Sequence, residues 1–216
     1  LLNKNEIKDL NLNFNYYDKN LDLKNINLSY FDLKISSENI SLKKNNKFYI
    51  IKGKFKNSKK IIPKEIISLI FKNENLDKVI LSSENDFSFK INKKYKISDL
   101  SIKSKVNLDE ANFKLNNKFV KNYIPDFENT FKFINNVLDI KYKKNIFIKG
   151  KGKVEIGNKK EEIEYNLNFI DDKLSYEVVL FLNKVLIKFD LINLLKKENV
   201  KSKIKIKGKN SKNIIK

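Results

Sequence analysis

Histidine, cysteine, methionine and tryptophan are absent from this 216-residue chain, and arginine and glutamine are absent as well. Without His or Cys the chain can assemble neither a Ser-His nor a Cys-His nucleophile system. The same absences remove the usual ligands of zinc and leave no cysteine for a disulfide. These gaps exclude the commonest hydrolase and zinc-enzyme chemistries, so we expect a protein that is not an enzyme and that carries no cofactor or metal.

The few glycines and paired carboxylates offer no alternative chemistry. The "GKGK" motif lacks the spacing and the following Ser or Thr of a phosphate-binding loop. Two adjacent carboxylate pairs, Glu161 with Glu162 and Asp171 with Asp172, fall in predicted turns. Turn residues that serve solvation explain them better than a catalytic dyad or a Ca²⁺ site, because their spacing matches no known loop.

Long apolar runs are also missing, since no stretch approaches the roughly 20 residues that a membrane helix needs. The formal net charge is +20, which raises the question of a polyanionic partner. The lysines are spread along the whole chain among acidic residues, and arginine, the residue best suited to phosphates and base edges, is absent. We therefore expect no nucleic-acid partner and interpret the lysines as the solvated outer face of a sheet, which is compatible with a weak attraction to anionic lipid head groups.

What the chain does contain is alternation of apolar and polar residues with a period of two, which predicts β-strands. In "NLDLKNINLSYFDLKISSENISL", residues 20–42, the alternation changes phase at Asn25 and again at Phe31, as a bulge or a tight turn would require. The polar connections "GNKK" after Ile156, "DDK" after Ile170 and "NK" after Leu182 have the length of hairpin loops. The pattern predicts strands paired antiparallel in a meander, as one continuous sheet without a domain boundary over 1–216.

Three segments instead favour short helices: Pro63–Lys72, Asn117–Ile124 and Leu191–Glu198. The predicted fold is therefore mainly β, a long curved antiparallel sheet that forms an open groove, with a few short helices. So few helices cannot cover one face of about a dozen strands. That apolar face must fold onto itself, meet a second sheet, or hold something outside this sequence.

One set of apolar residues recurs in a common phase on successive predicted strands, so antiparallel pairing should place the set on one face. These candidate groove residues are Leu100, Ile102, Val106, Leu138, Ile140, Ile146, Ile148, Val154, Leu167 and Phe169.

Four segments resemble the AsmA-like envelope proteins of the YhdP type, which belong with TamB to the bridge-like lipid transfer superfamily. They are the strand "YKISDLSIKSKVNL", the helix "FVKNYIPDF", the strand "IFIKGKGKVEI" and the hairpin arm "KKEEIEYNLNF". The resemblance covers about Lys90 to Ile215, and the residues before it continue in the same style. It implies that the chain is an internal or C-terminal segment of a larger protein.

The resemblance also implies a function. Proteins of this family are anchored in the inner membrane and extend across the periplasm, and their hydrophobic β-groove carries phospholipid acyl chains toward the outer membrane. For this chain it implies phospholipid as a partner, membrane contact through parts outside the segment, envelope protein partners and a periplasmic location. The family has no catalytic residues. The alternative is a non-enzymatic β-sandwich module that binds a protein or a glycan.

Overall fold

A computed structural model describes residues 7–70, 75–115, 118–171 and 173–210 of the chain. Within these ranges the elements in chain order are β1 (Lys8–Tyr17), β2 (Asn20–Tyr30), β3 (Leu33–Lys44), β4 (Phe48–Ile61), α1 (Lys64–Ile70), β5 (Leu76–Asn92), β6 (Ile97–Lys114), α2 (Lys118–Tyr123), β7 (Thr130–Tyr142), β8 (Ile146–Ile156), β9 (Lys159–Ile170), β10 (Lys173–Phe181), β11 (Ile187–Phe189), a 3₁₀ turn (Asp190–Ile192), β12 (Leu194–Lys196) and β13 (Lys203–Asn210).

Eleven of these strands form one open antiparallel sheet in the order β1 to β10 followed by β13. Each strand pairs with its neighbour in sequence until β10, which pairs with β13, while β11 and β12 form a separate two-stranded sheet. The prediction of a mainly β, antiparallel, open sheet is confirmed. The described residues do not form the two packed sheets of a sandwich.

The changes of phase expected in the second and third strands have clear backbone causes. Asn25 adopts a left-handed φ of 51° inside β2, so Ile26 returns to the side of the sheet that Leu23 occupies. Phe31 and Asp32, with φ of 49° and 57°, form the tight turn between β2 and β3. A turn with two left-handed residues matches the twist of antiparallel strands, which explains why the hairpin closes here.

Two of the predicted helices are confirmed and one is wrong. The described helices α1 and α2 lie within Pro63–Lys72 and Asn117–Ile124, although Phe71, Lys72 and Asn117 fall outside the described residues. The third predicted helix, Leu191–Glu198, is a 3₁₀ turn followed by β12. Asn193 stops helical growth there because its φ is left-handed, and the next three residues pair with Ile187–Phe189.

The long connections of the sheet all lie at one end of its strands, together with the short turns 31–32 and 157–158. In an antiparallel meander every second connection lies at the same end of the strands. The long segments 62–75, 115–129 and 182–202 therefore share one end. At the opposite end the strands are joined only by short turns, such as 18–19, 45–47 and 143–145. The predicted hairpin at "NK" after Leu182 is therefore wrong, because β10 leads into a long connection instead.

The long connections fold back over the apolar face and build two buried clusters. Cluster 1 combines residues of β8 and β9 with residues of the second and third connections: Val154, Ile156, Ile163, Tyr165, Phe127, Leu182, Val185 and Ile187. Cluster 2 joins the first connection to β3, β5 and β6: Ile62, Ile67, Leu33, Val79 and Ala111. The described residues of the long connections thus cover the apolar face near the strand ends that they join.

Candidate functional site

Strand register aligns a continuous apolar row across ten strands, near the strand ends that only short turns connect. We call this row the apolar strip. Each member is the direct cross-strand partner of the next: Phe14, Leu23, Ile40, Gly53, Phe87, Ile102, Tyr142, Ile146, Phe169 and Leu174. Because neighbouring strands lie about 4.8 Å apart, the strip runs for roughly 40 Å perpendicular to the strands.

The described parts of the chain cover this strip only in part. Neither buried cluster includes any of its residues. The side chains from Leu23 to Leu174 are only half-buried, and Phe14 in the edge strand is 67% exposed. An apolar row of this length in contact with water is unfavourable unless another molecule covers it.

Gly53 is the one residue of the strip without a side chain, and its neighbours fill the space. A Cβ built at Gly53 would lie 2.8 Å from Ile40 Cγ1 and 3.0 Å from Phe87 Cζ. Phe87 also stacks on Phe89, with ring centroids 5.9 Å apart, and lies 5.9 Å from Phe55. The strip therefore stays apolar and continuous as it crosses β4.

Three of the ten candidate groove residues, Ile102, Ile146 and Phe169, lie in the strip itself. Ile140, Ile148 and Leu167 are cross-strand partners in the row next to the strip, and Val106 and Leu138 are partners in the row after that. Leu100 is half-buried beside Asp99, whose φ of 53° marks an irregular register between β5 and β6.

The remaining candidate, Val154, is 1% exposed within cluster 1, and Leu138, Ile148 and Leu167 pack against that cluster. The candidate residues thus extend from the strip into the covered core. Their role in lipid contact stays a prediction. The ten candidate residues did not include Phe14, Leu23 and Ile40 of the strip, although each is an apolar member of an alternating segment.

A small polar cluster interrupts the apolar face on β4 and β5. The Ser83 hydroxyl donates to Asn57 Oδ1 at 2.5 Å, and Asn85 Nδ2 donates to Ser83 Oγ at 2.7 Å. Asn85 is buried and is the cross-strand partner of Ser104 on β6. These polar side chains occupy the two rows next to the strip. The apolar path through the central strands is therefore confined to the strand ends that short turns connect.

The opposite face of the sheet carries a ladder of alternating charges. Direct cross-strand partners run Lys56, Glu84, Lys105, Asp139 and Lys149 across β4 to β8. Cross-strand pairs of opposite charge favour this register. The lysines at 149, 151 and 153 are exposed, as the interpretation of a solvated outer face requires, but the sequence pattern alone did not reveal their carboxylate partners.

A depression of about 890 Å³ lies over the central strands β3 to β7. Its lining includes six lysines, at positions 52, 54, 56, 103, 105 and 141, and four carboxylates, at 38, 84, 86 and 139. One of these pairs, Lys54 with Asp86, is 3.3 Å apart with both side chains largely exposed. The lining also includes Phe55, Phe87 and Ile140, so the depression has a mixed surface with a small excess of positive charge.

The carboxylate pairs differ from the prediction. Glu161 and Glu162 lie inside β9 and not in a turn, and their side chains point to opposite faces. Glu161 is 2% exposed and accepts backbone N–H groups from Asn183, Lys184 and Val185, at 3.0 Å from the first and 2.9 Å from the last. Glu161 thus holds the third long connection onto the sheet. Asp171 does lie in a turn, and Asp172 is outside the described residues.

The Lys196 ammonium completes this buried polar contact. It donates to the Val185 carbonyl at 2.6 Å, and burial lowers its pKa, while the negative charge of Glu161 opposes that shift. No group of three or more metal-ligating side chains occurs among the described residues. The contacts of Glu161 and Lys196 hold the third long connection in place.

Comparisons with family models, curated proteins and solved structures find no match to this chain. Among the residues that the structure describes, no helix is long and apolar enough to cross a membrane. The geometry of the sheet therefore carries the functional argument by itself.

Proposed function

We propose that this chain is a groove segment of an envelope-spanning phospholipid transport protein of the AsmA-like, YhdP type. The observation that supports the proposal is the apolar strip, which stays continuous over ten strands and lies outside both buried clusters of the described chain. Acyl chains contact such a surface without directional bonds, so they can move along it. The strip runs perpendicular to the strands, and this direction lets a sheet of many strands form a long path.

The charged face fits the same proposal. It carries the alternating ladder and exposed lysines, which keep that side hydrated while the apolar side is covered by cargo. The periplasm, phospholipid, the membrane contact made by other parts of the protein and the envelope protein partners belong to this proposal. We make no proposal for the sandwich module that binds protein or glycan, because no feature of the described surface favours it.

The experiment that tests the proposal compares two adjacent residues of β8 that lie on opposite faces. Ile146 belongs to the strip, whereas Phe147 is 43% exposed on the charged face. Purified wild-type protein, Ile146→Lys and Phe147→Lys are loaded with a photoactivatable phosphatidylcholine, irradiated and analysed for crosslinked lipid. Thermal unfolding of each variant is measured in parallel.

We expect crosslinking in the wild type and in Phe147→Lys, and a loss of most crosslinking in Ile146→Lys without loss of cooperative unfolding. The ammonium at 146 would place a hydrated ion against the acyl chains. Absence of crosslinking in the wild type, or equal crosslinking in all three proteins, would contradict a lipid path along the strip.

A further inference from the structure

The third long connection ends in an exposed aliphatic tip that the groove does not explain. We define the tip as Leu191, Ile192, Leu194 and Leu195, which surround the left-handed Asn193 between β11 and β12. Their exposed fractions are 92%, 68%, 45% and 56%. Exposing four large aliphatic side chains of one short hairpin to water is unfavourable, so we expect another molecule to cover the tip.

The hairpin that carries the tip is firmly attached to the sheet. Leu182, Val185 and Ile187 at its base are at most 3% exposed in cluster 1. The ring of Phe189 packs against Tyr123 of α2, with centroids 4.9 Å apart. The tip is therefore the exposed end of a hairpin whose base is buried against the sheet.

A salt bridge joins the same hairpin to the second long connection. The Lys159 ammonium lies 2.7 Å from Asp126 and 2.6 Å from Glu198. Glu198 is thereby paired, and the connection 182–202 carries five lysines against two carboxylates, Asp190 and Glu198. Lys184, Lys197 and Lys201 are exposed near the base of the hairpin, and Lys188 pairs with Asp190 at 2.9 Å.

We propose that this tip docks the protein on the surface of an anionic phospholipid bilayer. Aliphatic side chains at the end of the hairpin enter the acyl boundary, while the lysines at the base of the hairpin meet anionic head groups. The tip is too small for a stable protein interface, which needs about 800 Å² on each partner and roughly 20–30 residues. A few inserted side chains with basic neighbours are sufficient for reversible membrane association.

This docking is independent of lipid transport along the strip. The tip lies at the strand ends joined by the long connections, whereas the strip lies near the strand ends joined only by short turns. The proposal requires only a lipid surface, and it does not require that a lipid enter the groove.

Vesicle flotation tests the proposal with two matched double variants. Leu191→Ser with Ile192→Ser removes the two most exposed tip residues. Val137→Ser with Phe147→Ser removes two apolar residues that are 48% and 43% exposed on the charged face. We expect the wild type and the control to bind phosphatidylglycerol-containing vesicles more tightly than pure phosphatidylcholine vesicles, and the tip variant to bind roughly tenfold more weakly.

The absence of tryptophan from the chain allows a second measurement. Leu191→Trp introduces a single fluorophore at the tip, and Phe147→Trp introduces one on the charged face. We expect a blue shift on anionic vesicles for the first variant only, with quenching by lipids brominated along the acyl chain.

Several outcomes would overturn membrane docking: no vesicle binding by the wild type, equal binding by the tip and control variants, or a tip tryptophan that stays in water. Ile146→Lys should retain vesicle binding even if it loses lipid crosslinking. A failure of the groove proposal and a failure of tip docking are therefore distinguishable.

Discussion

Replacing Glu161 should detach the third long connection from the sheet. Its carboxylate is almost fully buried and accepts three consecutive backbone N–H groups, from residues 183 to 185. Hydrogen bonds to a charged group contribute about 1.5–3 kcal/mol each, and bonds to one acceptor group are not additive. For Glu161→Ala we therefore expect the free energy of unfolding to fall by roughly 3–5 kcal/mol.

A conservative variant separates the charge from the shape of the side chain. Glu161→Gln keeps one acceptor oxygen but turns an NH₂ group toward a backbone donor, so we expect a loss of about 1–2 kcal/mol. Glu162→Gln is the matched control, because Glu162 is the next residue in the strand and is exposed on the charged face. Its effect should stay within about 0.5 kcal/mol.

Urea unfolding followed by far-UV circular dichroism gives the free energies, and hydrogen exchange with mass spectrometry locates the change. We expect Glu161→Ala to increase exchange over 182–202 more than over β2 to β6. A change of less than about 1 kcal/mol for Glu161→Ala, or equal effects at positions 161 and 162, would refute the idea that this carboxylate holds the connection.

Three further predictions concern single residues of β8, β9 and β10. Gly150→Ala should destabilise the fold by about 1–3 kcal/mol, measured by urea unfolding, because a Cβ would overlap the Tyr165 ring that covers the glycine. Burial raises the pKa of Tyr165 from 10.0 to about 12. The contribution of the neutral ring to stability is therefore present below pH 10 and should be lost as the pH rises through about 12. Tyr165→Phe should remove this part of the alkaline loss of stability in thermal unfolding curves. Hydrogen bonds from Lys205 and then Lys207 lower the pKa of Glu177, so the contribution of Glu177 to holding β13 is present at neutral pH and is lost as the pH falls through that lowered pKa. A carboxyl NMR titration should show a midpoint below the ordinary glutamate value, and an ordinary midpoint would contradict the pairing.

Local features of the fold could be predicted from the sequence because they depend on near neighbours. The bulge at Asn25 and the turn at Phe31 follow from the phase of alternation within a few residues. The helices α1 and α2 follow from Pro63 at the start of one and Pro125 beyond the end of the other. In each case the signal and the structure lie within one segment of the chain.

Features that depend on distant partners escaped prediction. The segment 191–198 has the apolar spacing of a helix, but pairing of β12 with β11 and the buried contact of Lys196 with Val185 favour a strand. The role of Glu161 depends on backbone groups more than 20 positions away. The strip was only partly predicted, because its members become neighbours through the register of nine strand pairs, which alternation alone does not specify.

The sequential order of the large sheet has a consequence for how the chain folds and opens. From β1 to β10 each strand pairs only with its neighbours in sequence, so the contacts within the sheet join strands that are consecutive along the chain. Proteins with such local topology fold rapidly for their size, and their stability resembles a sum of nearest-neighbour terms. An edge hairpin such as β1–β2 can therefore separate and return while the central strands stay paired. Such a sheet can also gain or lose a terminal hairpin, by about 10 Å of width each time, without repacking its centre.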